Sequence, residues 1–153
     1  MRIEVREPRT QDEVDAYYDL RWRILREPWT QARESGRDEH ESEAVHLSAW
    51  AGEKLVGVGR VHLRTPAEAQ IRYMAVEDGY AGQGIGSLIL AGLEERASQM
   101  GAACIVLNAR DNALRFYRKH GYCLLDPSGK LFNSIEHWWM KKELTTDAAS
   151  VSL

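Results

Sequence analysis

Apolar and polar residues alternate over residues 2–7 (RIEVRE), 44–51 (AVHLSAWA), 54–64 (KLVGVGRVHLR) and 69–76 (AQIRYMAV), and this period predicts four strands. Gly52-Glu53 joins the second and third as a hairpin. Between the first two strands, Val14, Tyr18, Trp22 and Leu25 share one helical face. Thr10 with Glu13 fits a capping box at the start of that helix, and Pro28 stops it near Arg26. Residues 28–43 (PWTQARESGRDEHESE) are charged and weakly periodic and read as a loop, with or without a helical turn. Ile85, Leu88, Ile89, Leu93, Ala97 and Met100 recur at helical spacing until Gly101. A fifth strand is expected at 103–109 (ACIVLNA). A short helix at 111–121 (DNALRFYRKHG) follows, with Arg118, Lys119 and His120 in its last turn and Gly121 as its cap. Strands at 122–126 and 134–143 complete the set, and 145–153 reads as a frayed polar tail. The order β-α-β-β-β-α-β-α-β-β predicts one α/β domain over residues 1–144 with a mixed sheet of about seven strands. Strands four and five, joined through a helix, should be parallel neighbours with a right-handed crossover; the other pairs should be mostly antiparallel.

Composition narrows the setting. With 153 residues, 44% hydrophobic and 28% charged, the chain suits one globular domain. A net charge of −3 gives no footprint for nucleic acid or an anionic membrane. No apolar run approaches a membrane span, and the N-terminus lacks the apolar stretch of a secretory signal. Cys104 and Cys123 sit in apolar runs and read as reduced core thiols, which places the protein in the cytoplasm.

The chemistry starts at YAGQGIGS, residues 80–87, where glycine occupies positions 82, 84 and 86 between a strand and an amphipathic helix. The first turn of a helix has free N–H groups and a partial positive charge, and glycines let a ligand reach them closely. Phosphate binding is the indicated function, against the plain alternative of a tight strand-to-helix turn. The dinucleotide fingerprint G-x-G-x-x-G fails, because its third glycine falls on Ser87 or Ile89. The P-loop fails for want of Gly-Lys-Ser/Thr.

MAVEDGYAGQGIGSLIL followed by ALRFYRKHGY resembles the GNAT superfamily of acyl-CoA-dependent N-acetyltransferases, strongly over residues 69–122 and in element order beyond them. The resemblance implies the GNAT fold and acetyl-CoA as co-substrate, with no metal. It lays the family's pyrophosphate loop on residues 81–86, so the coenzyme would be held by Gly82, Gln83, Gly84, Ile85, Gly86 and Ser87. It implies further that Met74, Ala75 and Val76 pair their backbone with the pantetheine arm and that Phe116 lies along the coenzyme. Asn108, at the end of the fifth strand, is either a substitute for the asparagine common at the Arg110 position, serving the pantetheine amides, or a simple strand-end turn. Tyr117 would be the general acid toward the departing thiolate. Transfer to the amine would be direct, which needs an acceptor for the amine proton, an N–H donor for the carbonyl oxygen, and an acid for the thiolate. Family members often form dimers.

Three departures stand out. Ala81 occupies a position where the family favours Arg or Gln, which should weaken coenzyme binding. Gln70 stands where many members carry a glutamate base, leaving Glu68, His62, His46 and His137 as open candidates. Arg110 stands where an asparagine is common. The DEHESE run, residues 38–43, does not fit H-E-x-x-H; it reads as a solvated loop or else as an acidic lip attracting a cationic amine. Trp138 and Trp139 face opposite sides of the last strand, one toward the core and one toward a pocket or a dimer interface. Tyr17 reads as core and Tyr18 as surface. The expected function is N-acetyl transfer to a small-molecule or peptide amine, with no nucleic acid or membrane partner. A non-catalytic acyl-CoA-binding module or sensor is the alternative.

Overall fold

The computed structural model describes residues 2–131 and 135–144. Its strands are Ile3–Arg6 (β1), Val45–Ala51 (β2), Lys54–Thr65 (β3), Glu68–Val76 (β4), Cys104–Arg110 (β5), Cys123–Leu131 (β6) and Ile135–Glu143 (β7). Its helices are Gln11–Leu25 (α1), Ile85–Gln99 (α2) and Leu114–Lys119 (α3). They form a mixed sheet ordered β1-β2-β3-β4-β5-β7-β6. Among the described strands only β4 and β5 pair in parallel, as the intervening helix requires. The tail at 145–153 lies outside the described residues.

The sheet has a core on each face. On one, Ile85, Ile89, Leu90, Leu93 and Ala97 of α2 pack on Leu47, Val56, Val61, Ile71, Ile105 and Leu107. Gly57 and Gly59 permit this contact: a Cβ on either would stand 2.6 Å and 2.8 Å from Ile89 side-chain atoms, so α2 lies directly against the β3 backbone. On the other face, Tyr17 and Leu20 of α1 cover Trp50, Leu55, Val58 and Ala75.

Several local readings differ. The buried face of α1 carries Tyr17, Leu20 and Arg21, one position round from the Val14–Tyr18–Trp22–Leu25 stripe. Arg21 is drawn inward by polar partners that hydropathy does not register. The capping box forms by half: Thr10 accepts from the Glu13 N–H at 3.1 Å, while the Glu13 carboxylate turns to the Arg9 N–H at 2.7 Å. Leu88, grouped with the apolar stripe of α2, is exposed. Cys123 is also exposed, so of the two expected core thiols only Cys104 is buried. The expected helix at 111–121 is a 3₁₀ turn, Asp111–Ala113, followed by α3. Strand β6 runs past residue 126 to Leu131, because Pro127 sits at a break in the ladder where its missing N–H is tolerated. Tyr17 is buried as expected, whereas Tyr18 is half-buried with its hydroxyl on Glu41.

Candidate active site

Strands β4 and β5 pair from Glu68 opposite Cys104 to Ile71 opposite Leu107, and then separate. Strand β5 stays with β7 as far as Arg110 opposite His137. Strand β4 bulges against β3 at Tyr73, which holds a φ of 63°, in the left-handed region that a bulky residue seldom adopts. The divergence leaves the β4 backbone beyond Ile71 without a β5 partner and opens a cavity of about 270 Å³. Met74, Asn108 and Tyr117 line it; so do Arg26, Arg72, Arg110 and His137. Ala75 is buried and Val76 packs against the α2 core; both pair with β3, and neither lines the cavity.

The glycine loop stands at the end of β4. Gly82 and Gly84 take φ values of 77° and 80°, and nothing lies within 4 Å of where their Cβ atoms would be. Gly84 is the N-cap of α2, without a side-chain cap and with no acidic residue in the first turn. The N–H groups of Ile85, Gly86 and Ser87 and the positive helix end are therefore offered outward. The Gln83 amide folds back to the Gly79 carbonyl at 3.3 Å. Gly86 has a packing role as well, since a Cβ there would stand 3.3 Å from Phe116. Phe116 also carries the His120 ring at 4.8 Å, and Ser87 Oγ meets His120 Nε2 at 2.9 Å. Thus α3 is fastened to the start of α2, and this positions the neighbouring Tyr117. Its hydroxyl points at Met74 Sδ, 3.6 Å away, and burial pushes the phenol up to about 12. It remains a proton donor through the neutral range.

Of the four candidate bases, His137 alone lines the cavity. Glu68 lies at the paired end of β4, away from the splay. His46 is held on both nitrogens, by the Tyr17 hydroxyl and the Glu41 carbonyl, each at 2.8 Å. His62 is buried, receives a hydrogen bond from Arg60 at 3.1 Å and stacks on His40. Burial first, and then the Arg60 charge, depress its pKa to about 4.

The DEHESE run is a solvated loop only in part: Glu39, Ser42 and Glu43 are exposed, while Asp38 and Glu41 turn inward to arginines. Asp38 takes two hydrogen bonds from Arg60 (2.6 and 3.0 Å) and one from Arg72 (2.8 Å). Glu41 binds Arg60 at 2.7 Å and Arg21 at 2.9 Å. Burial opposes the Asp38 charge, but the Arg60 hydrogen bonds and the neighbouring cations outweigh it and hold the carboxyl well below its usual range. These carboxylates are engaged by arginines and do not form the acidic lip. Trp138 reaches Asp111 at 3.2 Å and Trp139 lies under Arg64. Among the described residues, no group of three or more His, Cys, Asp or Glu side chains could hold a metal ion, and no helix is long and apolar enough to cross a membrane.

The splayed parallel pair, the glycine-rich helix start and the tyrosine-bearing short helix fall on the segments by which the sequence resembles the GNAT acetyltransferases. The model of the Acetyltransferase (GNAT) family matches residues 14–122, and the chain belongs to that family. It is 33% identical over 129 residues to an uncharacterized N-acetyltransferase of Bacillus subtilis, YjcF, covering 84% of this chain and 91% of that one. The fold matches a GNAT family acetyltransferase of Elizabethkingia anophelis with acetyl-CoA bound (TM-score 0.76, 20% identity, 93% and 98% of the two chains). It also matches an aminoglycoside 6'-N-acetyltransferase complexed with coenzyme A (TM-score 0.76, 17% identity, 95% and 98%).

Proposed function

We propose that the protein moves an acetyl group from acetyl-CoA directly to a primary amine. The observation that carries this is an uncapped, glycine-rich helix start joined through Phe116 to α3, whose Tyr117 lines the gap where β4 parts from β5. Acetyl-CoA is the co-substrate and supplies the activated acyl group. The N–H groups of residues 82–87 bind its pyrophosphate. The backbone of Met74, Ala75 and Val76 runs beside its pantetheine, and an N–H there polarises the carbonyl. Asn108 and Phe116 flank the arm. As the N–C bond forms and the C–S bond breaks, His137 takes the amine proton and Tyr117 gives its own to the thiolate.

Thermal melting with acetyl-CoA and with free coenzyme A, beside thiol release across an amine panel, tests this reading. Both coenzyme forms should raise the melting temperature, since ligand at 100 times its dissociation constant stabilises by about 2.7 kcal/mol. Thiol should appear only when amine is added. A melting shift without thiol release would favour the non-catalytic binding module; no shift at all would end the coenzyme assignment.

A further inference from the structure

The cavity presents different chemistry toward the two faces of the sheet. Met74 and Tyr117 belong to the α2 face, where the glycine loop lies. Toward α1, Arg26, Arg72 and Arg110 line the wall, and among the described residues no aspartate or glutamate lines the cavity. Arg110 donates to the Leu25 carbonyl at 2.9 Å and lies 5.0 Å from the Trp29 ring, with no carboxylate in ion-pair reach among the described residues. Arg26 donates to the Ser35 carbonyl at 3.0 Å. Arg72 shares Asp38 with the fully buried Arg60. Behind this wall Arg21 and Arg60 are balanced by two carboxylates, Asp38 and Glu41, so the excess positive charge lies on the wall itself.

Burial and the proximity of Arg26 both disfavour the Arg110 cation, yet a guanidinium stays charged at any working pH. Its carbonyl and ring contacts fix its position without neutralising it. An anion entering between these side chains would replace lost hydration with charge-assisted hydrogen bonds, and a carboxylate matches the guanidinium fork on two oxygens. A polycationic amine would meet repulsion on the same wall. The volume of about 270 Å³ must also admit the acetyl end of the coenzyme, which leaves room beside the arginines for a compact amine group.

We infer that the arginine wall, with Arg110 at its centre, binds the carboxylate of the acceptor, and that the acceptor is a small amine of the amino-acid class. This rests on the acetyltransferase reading above. It gives Arg110, the departure from the family's common asparagine, a role in selecting the acceptor.

The test compares free α-amino acids, the matching amino-acid amides and an aliphatic diamine, with saturating acetyl-CoA and thiol release as readout. The acids should exceed their amides in kcat/KM by about tenfold or more, the span expected when a charge-assisted pair discriminates. Arg110→Gln should bring that ratio close to one, mainly through the KM of the acids, and Arg110→Lys should recover part of it. The melting shift with coenzyme A should persist in both variants, which shows them folded. Amides or the diamine preferred by the native protein, or a ratio unmoved in Arg110→Gln, would overturn the inference. If no amine releases thiol, calorimetric titration of the coenzyme-A-loaded protein with the same acids and amides decides. Acid binding lost in Arg110→Gln would uphold the arginine wall and count against catalysis. No acid binding would overturn the wall and leave the coenzyme assignment to its own melting shift.

Discussion

The Tyr117 hydroxyl has a sulfur as its described partner, a weak acceptor, so removing the hydroxyl leaves the packing of α3 nearly intact. Tyr117→Phe should therefore melt within about 1 kcal/mol of the native protein. It should bind acetyl-CoA normally and lose turnover by roughly 10²-fold, as for a missing general acid. Steady-state rates beside a melting curve check this; unchanged turnover with chemistry rate-limiting would defeat the role. With its phenol near 12, Tyr117 should place no basic limb in the rate profile below pH 10. His137→Gln should remove the acidic limb if that residue accepts the amine proton. His62 is expected to act on stability instead. Its pKa is about 4 in the fold against 6.5 ordinarily, so below pH 6.5 the unfolded chain takes up a proton that the native state refuses. Stability from this group is complete above 6.5 and is lost as pH falls toward 4. Denaturation midpoints should drop across that window and drop less in His62→Gln.

The loop leading into α2 gives the clearest test of an element. Gly84→Val places a β-branched side chain at a φ of 80°, in the space left open for a ligand. Coenzyme A should then produce no melting shift. Gly52→Val is the control for backbone strain: at a φ of 62° in the β2–β3 turn it should lose stability and keep the shift. Ala81→Arg should tighten coenzyme binding by about 0.5–2 kcal/mol at low salt, and less at high salt. This loop and all seven strands could be read from local sequence, because glycine sterics and side-chain periodicity act over a few residues. The inward face of α1 could not. Arg21 resembles a surface residue until Gly36 and Glu41, from a distant loop, supply its acceptors at 2.9 Å each.

That loop is bound to the sheet by charge, and the attachment involves the whole molecule. Arg60 has no exposed side-chain surface and bridges Asp38 and Glu41. Arg60→Met should cost roughly 3 kcal/mol or more, the usual result when one partner of a buried pair is removed, measured by denaturant titration. The residues lining the cavity come from the end of α1, β4, β5, the turn before α3, α3 itself and β7. Tyr117 and the glycine loop could be picked out in the sequence because each lies in a short motif with its own spacing. Arg110 showed only as an unusual residue in its motif, and Arg26 and Arg72 gave no signal at all. Choosing His137 over Glu68, His46 and His62 depended on where β4 leaves β5. Periodicity, turn residues and the two motifs therefore specified the elements, their order and the side of the site proposed for the coenzyme, since each depends on neighbours along the chain. The splay after Ile71, the charge network and the arginine wall depend on pairings between remote segments, whose strength is set by burial and distance, and only the folded chain decides those.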